Sequence, residues 1–468
     1  MKNTLAKKLA DFTHDLSFDR LPPAVVEKAQ ISIIDAFASA SSGYELKTSQ
    51  IALKITESLG KKGKSTIWIN GRKADIFDAA WTNCMLVHCA LHDDMQSSSV
   101  GHMGSMIIPT ALAIAEEMGS SGQDLICAMV CGYEVAGRVA AKNSGTTIVA
   151  NGFRGSPVFG TLAAATVAGK LLGLNSEEMR NAICCAASFS CGLLEPANSG
   201  TEEWRFENGN ALRGGIMAAF LAKQGLHTAA EALEGECGFY ASFGGKNLRE
   251  KILASMDEIT NTLGKEYEIS KNLFKPFATC GYNQIGVEVI SRIATENNIA
   301  FKDIVSVKVK VSPENKAYPG GEESGPFTSF DQALLSKPFS VGAAIKYRDM
   351  QIEQVQHFED PDVLEVAKRV DTEAVAGMGD FDFSVEIVLS SGKVITGNAS
   401  LMDITNYYLN KERAIAKFKK MSSNVMTEDT LSKVAQAIFQ LDEIADVSKL
   451  TSLFKYKRMS TKYSDSIA

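Results

Sequence analysis

Residues 160–172 read GTLAAATVAGKLL. Small side chains fill most positions, the apolar ones recur at helical spacing, and no proline interrupts them. The stretch predicts a helix that lets its neighbours approach very closely. The surrounding sequence predicts more of the same. Helices are expected over 24–39, directly after Pro22–Pro23, and over 79–91, 107–118, 124–141, 177–187, 212–223 and 229–233. The 107–118 helix is expected to open near Pro109, where a proline suits the first turn. So many Ala-, Gly- and Leu-rich segments predict a packed multi-helix domain. The character changes near Glu266. Residues 305–311, VSVKVKV, alternate strictly, as a half-buried strand does. Residues 383–389, FSVEIVL, alternate again; Ser390–Ser391–Gly392 then turns the chain into a hairpin partner at 393–396. Helices are expected between the strands at 340–346 and 363–369, and helix returns after Asn410. The fold class is therefore mainly α with a second α+β domain. The all-helical domain spans 1–268 and is completed by 410–468; the smaller α+β domain spans 269–409.

Composition narrows the function. The chain has 468 residues, 45% of them hydrophobic, and a net charge of −7 from 48 basic and 55 acidic residues. A generally basic nucleic-acid binder is excluded, since phosphate binding needs surplus Lys and Arg, although a local basic pocket for a small anion is not. The N-terminus, MKNTLAKKLADFTHDL, carries charges every few residues and lacks a signal-peptide core. No uncharged apolar run of about 18 residues occurs, so no membrane partner is expected. Nine cysteines without zinc-like CxxC pairs read as reduced thiols of a cytoplasmic protein. There is no GxGxxG after a strand and no P-loop; GKKGKS at 60–65 is a basic turn.

Four clusters carry candidate chemistry. The densest is HCALHDDMQSSSVGH, residues 88–102, with three of the six histidines, the pair Asp93–Asp94, and Gln96. His88 and His92 share a helix face, but HxxxH without the HExxH glutamate lacks zinc-protease logic, and adjacent aspartates on a helix diverge by about 100°. No metal is expected. The bland reading is a helix end with capping and turn groups; the functional one is an acid/base loop in which His102 and a carboxylate exchange protons with a substrate. The second cluster, GTEEWRFENGNALR at 200–213, places Trp204 and Arg205 before a helix expected to start after Gly209. Arg205 offers a fork for a carboxylate, and that helix N-terminus could hold an anion. The alternative is a solvated loop with Trp204 plugging a gap in the core. The third, KPFATCGY at 275–282, holds Lys275, Cys280 and Tyr282 at the domain junction, with Lys275 presented on extended backbone before Pro276. The fourth, NGFRGSP at 151–157, sets Arg154 between two glycines, for a close backbone approach or a tight turn.

The order of these motifs carries more than any one of them. IIDAFASASSGY (33–44), ALHDDMQSSSVGHMGSMIIPTALAIAEE (90–117), GYEVAGRVA (132–140), NGFRGSPVFGTLAAATVAGKLLGL (151–174), WRFENGNALRGGIMAAFLAKQG (204–225), KPFATCGY and ALLSKPFSVGAAI (333–345) together resemble the MmgE/PrpD family over nearly the whole chain. The resemblance implies the same two-domain architecture, a homodimer, no cofactor, and a site in the cleft between domains. It also implies proton transfer next to a carboxylate of a small polycarboxylate. The implied activity is a lyase of the 2-methylcitrate dehydratase type. The alternatives are an epimerase of an amino- or imino-dicarboxylate and a cis-aconitate decarboxylase-like carboxy-lyase. The family's acidic helix end and loop histidine fall on Asp93, Asp94 and His102, and His92 or Leu91 takes its first acidic position. Its crossover lysine falls on Lys275. Trp204, with Arg205 beside it, stands where the family has lysine; Arg154 and Cys280 stand where it has histidine. The resemblance thus implies Asp93, Asp94, His102 and Lys275 as catalytic. Substrate binding falls to His92, Gln96, Arg154, Trp204, Arg205, Cys280 and Tyr282.

Overall fold

A computed structural model describes residues 3–403 and 409–454. Residues 1–2, 404–408 and 455–468 of the expected domains lie outside the described residues. The helical body is built from long, mostly buried helices, among them Pro23–Gly43, Ile76–His88, Gly104–Met118, Gly122–Val139, Gly155–Leu171, Ser176–Phe189 and Trp204–Lys223. The small residues of the Gly155–Leu171 helix do what their size allows. A Cβ at Gly215 of the Trp204 helix would stand 2.4 Å from the Thr161 carbonyl, so the two backbones are nearly in contact. Close-packed helices of this kind leave no room for added methyl groups. Ala414, Phe418, Leu431, Val434, Ile438 and Leu450, from the helices after Asn410, lie in the same hydrophobic cluster as these N-terminal helices.

A four-stranded sheet carries the second core. Its order is Val370–Ala374, Ile304–Val311, Phe383–Leu389, Val394–Ala399; the first pair is parallel and the others antiparallel. The Gln284–Glu296 helix covers one face: a Cβ at Gly286 would meet the Phe383 ring, and one at Gly397 would meet Val289. The second cluster also takes in Leu91, Met95, Leu194, Ala197 and Trp204, which come from loops and helix ends of the helical body. The seam between the two cores therefore runs through the very loops that carry the polar clusters.

Several sequence expectations are corrected. Residues 229–233 form turns, not a helix. Pro109 lies inside the Gly104–Met118 helix instead of at its start, past the four N-terminal amides that lack intrahelical partners, so it leaves the Ser105 carbonyl without the bond a non-proline residue would supply. The second-cluster helix begins at Trp204, so Gly209 is interior and offers no free helix end. Strand Val370–Ala374 was not predicted; its VDTEA sequence lacks apolar alternation because it pairs along one edge only. Among the described residues no helix is long and apolar enough to cross a membrane.

Candidate active site

The Ile76–His88 helix ends at His88, and the chain then runs irregularly to the helix that starts at Gly104. Asp93 and Asp94 thus lie outside any helix, free to turn to different partners. Asp94 is fully engaged. Its carboxylate accepts from the Gly104 amide at 2.9 Å, from the Tyr133 hydroxyl at 2.7 Å, and from Asn272. Burial, with the Asp93 charge beside it, pushes it up to about 7. A Cβ at Gly104 would stand 2.7 Å from this carboxylate, so only glycine fits there.

Two histidines have their tautomers fixed by their neighbours. His88 Nε2 lies 3.1 Å from Arg154 Nη2, and Arg has no acceptor, so Nε2 must accept. Its Nδ1–H therefore donates to Asp93 Oδ2 at 2.8 Å. His102 Nδ1 lies 2.7 Å from the Asp94 carbonyl oxygen, which can only accept. In the neutral ring Nε2 of His102 is then an open lone pair, with no partner among the described residues. The His102 backbone is pinned at both ends, by Ser156 Oγ accepting from its amide at 3.0 Å and by Ser105 donating to its carbonyl at 2.7 Å. Burial and the nearby Lys275 ammonium hold His102 well below its ordinary value; burial and the Arg154 guanidinium do the same for His88. Both rings are neutral near pH 7. Burial raises Asp93 above the usual carboxylate range, against the pull of His102 and Lys275.

Of these groups His102 lines an open cleft of about 520 Å³, mouth included; His88, Asp93 and Asp94 stand behind its wall. The helical body contributes His102, Arg154, Gly155, Ser156 and Trp204; the other side contributes Cys280, Gly281, Tyr318 and Leu335. Two lining residues, Leu91 and Val100, have left-handed backbone (φ 49° and 47°), which branched side chains seldom adopt. Arg154 caps the Gly155–Leu171 helix. Both expectations for its two glycines hold: Gly152 turns the chain at φ 88°, and a Cβ at Gly155 would strike the Ser99 carbonyl. The Gly155 and Ser156 amides, first in that helix, make no protein hydrogen bond among the described residues, and both residues line the cleft.

The other sequence-derived candidates stand behind this front. Lys275 is fully buried rather than presented: Nζ donates to the Leu91 carbonyl at 2.7 Å, and burial pushes it down to about 8. Arg205 is not at the cleft. Its fork reaches across the seam to Asp331, and Nε donates to the Cys89 carbonyl at 2.8 Å. Trp204 Nε1 donates to the same Asp331 at 3.0 Å, and the indole meets His88 edge-on at 4.9 Å. His92 and Gln96 are buried away from the cleft lining, His92 against Lys417 and Lys275 and Gln96 against the Tyr133 carbonyl. The Tyr282 ring packs on Tyr318 and Phe381. Cys280 lines the cleft, with burial pushing its thiol up, so it is no ready nucleophile. Sequence reasoning missed Tyr318, Asp331 and Lys417. Each sits in a distant segment without a motif, and only the fold brings it in.

His88, Asp93 and His102 each bring a ligand atom within 4.8 Å of the others, the one such group among the described residues. A metal ion there would have to displace the His88–Asp93 hydrogen bond beside the Arg154 and Lys275 cations.

Residues 7–251, over half the chain, match the family model described as the MmgE/PrpD N-terminal domain. A cis-aconitate decarboxylase of Aspergillus terreus is 25% identical over 474 residues, covering 97% of this chain and 96% of its own. The cis-aconitate decarboxylase of Homo sapiens is 24% identical, covering 97% and 95%. The cis-aconitate decarboxylase-like protein oryM of Aspergillus oryzae is 22% identical, covering 97% of each.

Proposed function

We propose that this chain, which belongs to the MmgE/PrpD family, is a lyase that moves a proton at the carbon next to a carboxylate of a small polycarboxylate. The observation that carries this reading is His102, a neutral ring locked by the Asp94 carbonyl with its Nε2 lone pair unpartnered at the cleft. Neutral near pH 7, the ring is in the form that can accept a proton. Arg154 and the free amides of Gly155 and Ser156 hold the substrate carboxylates. His102 Nε2 takes the proton, and the C–H electron pair becomes the new double bond. The β-hydroxyl departs as water, with a proton supplied by the Tyr318 phenol, which burial keeps neutral. Asp93 holds the His88 ring, and His88 in turn braces Arg154. Lys275 adds positive field from behind.

A second reading is a carboxy-lyase, favoured by the names of the relatives. There the bond to a carboxylate carbon breaks, CO2 leaves, and the electron pair left behind takes a proton from the neutral Tyr318 phenol. The division at 268/269 and 409/410 belongs to the same proposal, supported by the presence of two separate hydrophobic clusters. So do the homodimer and the cytoplasmic location.

Proton NMR in D2O with malate, citrate and cis-aconitate separates the outcomes. Dehydration of malate or citrate yields a new vinylic proton, decarboxylation replaces the cis-aconitate signals with those of a five-carbon dicarboxylate as CO2 leaves, and deuterium uptake without net conversion means an epimerase. His102→Gln is expected to lose about 10²–10⁴-fold in kcat with its circular dichroism unchanged. Full activity in that variant overturns the assignment.

A further inference from the structure

Counting the donors that remain at the cleft limits how many carboxylates it can hold. Arg154 has five N–H groups. Three are committed: to the Trp204 carbonyl, to Glu207 at 3.0 Å, and to His88 Nε2 at 3.1 Å. Nε–H and one Nη2–H remain, enough for one carboxylate. The Gly155 and Ser156 amides can take a second. Lys275 and Arg205, the other cations of the motifs, do not line the cleft. Its remaining wall is largely apolar. Leu91, Leu194, Ala197 and Leu335 belong to one hydrophobic cluster, with Val149 packed against it, and all five line the cleft. A third carboxylate would find only that wall and the neutral hydroxyls of Ser156 and Tyr318, without a charged partner, which is costly for an ion.

Resting on the lyase reading above, we propose that the substrate is a dicarboxylate bearing a hydrocarbon arm, with the two carboxylates on Arg154 and the Gly155–Ser156 amides and the arm on the Leu91–Val149–Leu194–Leu335 wall. Tricarboxylates are the poorer ligands.

The test reads binding, independently of turnover. Calorimetric titration uses the wild type and His102→Gln with malate, 3-alkylmalates of one to four carbons, citrate and cis-aconitate. Affinity is expected to rise by about fourfold for each methylene the wall buries, in both proteins, and both tricarboxylates are expected to bind at least tenfold more weakly than 3-butylmalate. Val149→Lys, which places a cation on the wall, is expected to reverse that order. Affinity that is flat or falling with arm length, or tricarboxylates that bind as well as the alkylated acids, overturns the proposal. The lyase reading is judged on the same panel by turnover. His102-dependent conversion of citrate with no gain from the arm would leave that reading standing and remove this one. An arm-length gain in affinity without turnover of any acid would do the reverse.

Discussion

Asp331→Ala removes the one carboxylate that ties Trp204 and Arg205 across the seam. Asp331 sits in the short Phe330–Leu335 helix of the sheet side and accepts from Trp204 Nε1 and from Arg205. The side chains of Arg205 and Asp331 are only 2% and 5% exposed, so water cannot replace the lost partner. The guanidinium, stacked 4.1 Å from the Trp204 ring, would keep only the Cys89 carbonyl. Breaking one side of a buried pair costs about 3–5 kcal/mol, because a buried charge is stranded. The unfolding entropy of ~2.1 cal/mol/K per residue amounts to about 1 kcal/mol/K if all 468 residues melt together. The melting temperature should then fall by about 3–5 °C. If the sheet side, about 140 residues, melts by itself, the same loss lowers its own transition by roughly 10–17 °C. Burial raises Asp331 even though Arg205 lies against it, so desolvation outweighs the pairing. Removing both charges should therefore recover most of the loss, and Arg205→Met/Asp331→Leu should melt within about 1 kcal/mol of the wild type. Differential scanning calorimetry of the wild type, both single variants and the double variant closes the cycle. A melting temperature for Asp331→Ala within 1 °C of wild type, or a double variant no more stable than that single one, refutes the reasoning.

Other positions yield further measurements. Lys275 falls to about 8 in the folded protein, so above that pH its positive field is lost and carboxylate KM should rise; Lys275→Arg, charged throughout, should abolish that rise in a KM–pH profile. For stability the sign is opposite. The unfolded lysine holds its proton up to about 10.4, so stability should grow from pH 8 towards 10, and urea midpoints in the wild type but not the variant should show it. Val100→Gly relieves a β-branched residue at φ 47° and is expected to gain about 1 kcal/mol, seen as a higher urea midpoint, while weakening binding of alkylated acids. Lys417→Met strands Asp35, which Lys417 meets at 2.6 Å, and is expected to cost about 3–5 kcal/mol, largely restored by adding Asp35→Asn.

The fold was legible where one periodicity ran long enough. VSVKVKV at 305–311 and FSVEIVL at 383–389 alternate because one face of each strand meets the covering helix while the other meets water, and both strands were predicted almost to the residue. Gly160–Leu172 was legible for the opposite reason: its small residues let the Trp204–Lys223 backbone approach the Thr161 carbonyl and leave room for Met106 and Met179 at Gly160 and Gly169. VDTEA at 370–374 was missed because a short edge strand of polar residues carries no such signature. Residues 229–233 were misread because five apolar and small residues fit a helix as well as the capped turns they form.

At the cleft the sequence named the loop but not the roles within it. HCALHDDMQSSSVGH does contain His102, Asp93 and Asp94, yet which of them is open and which is closed depends on Tyr133, Asn272 and Gly104, none of which the motif contains. Likewise three cations, Arg154, Arg205 and Lys275, look equivalent in sequence. The structure sets them apart by what each already holds. Arg205 spends its charge on Asp331, Lys275 is sealed behind Leu91, and Arg154 alone reaches the cleft with donors to spare. Charge read along a chain counts what could bind an anion; only the hydrogen-bond inventory counts what still can. That difference turns a cluster read as a polycarboxylate site into a cleft with room for two carboxylates and a hydrocarbon arm.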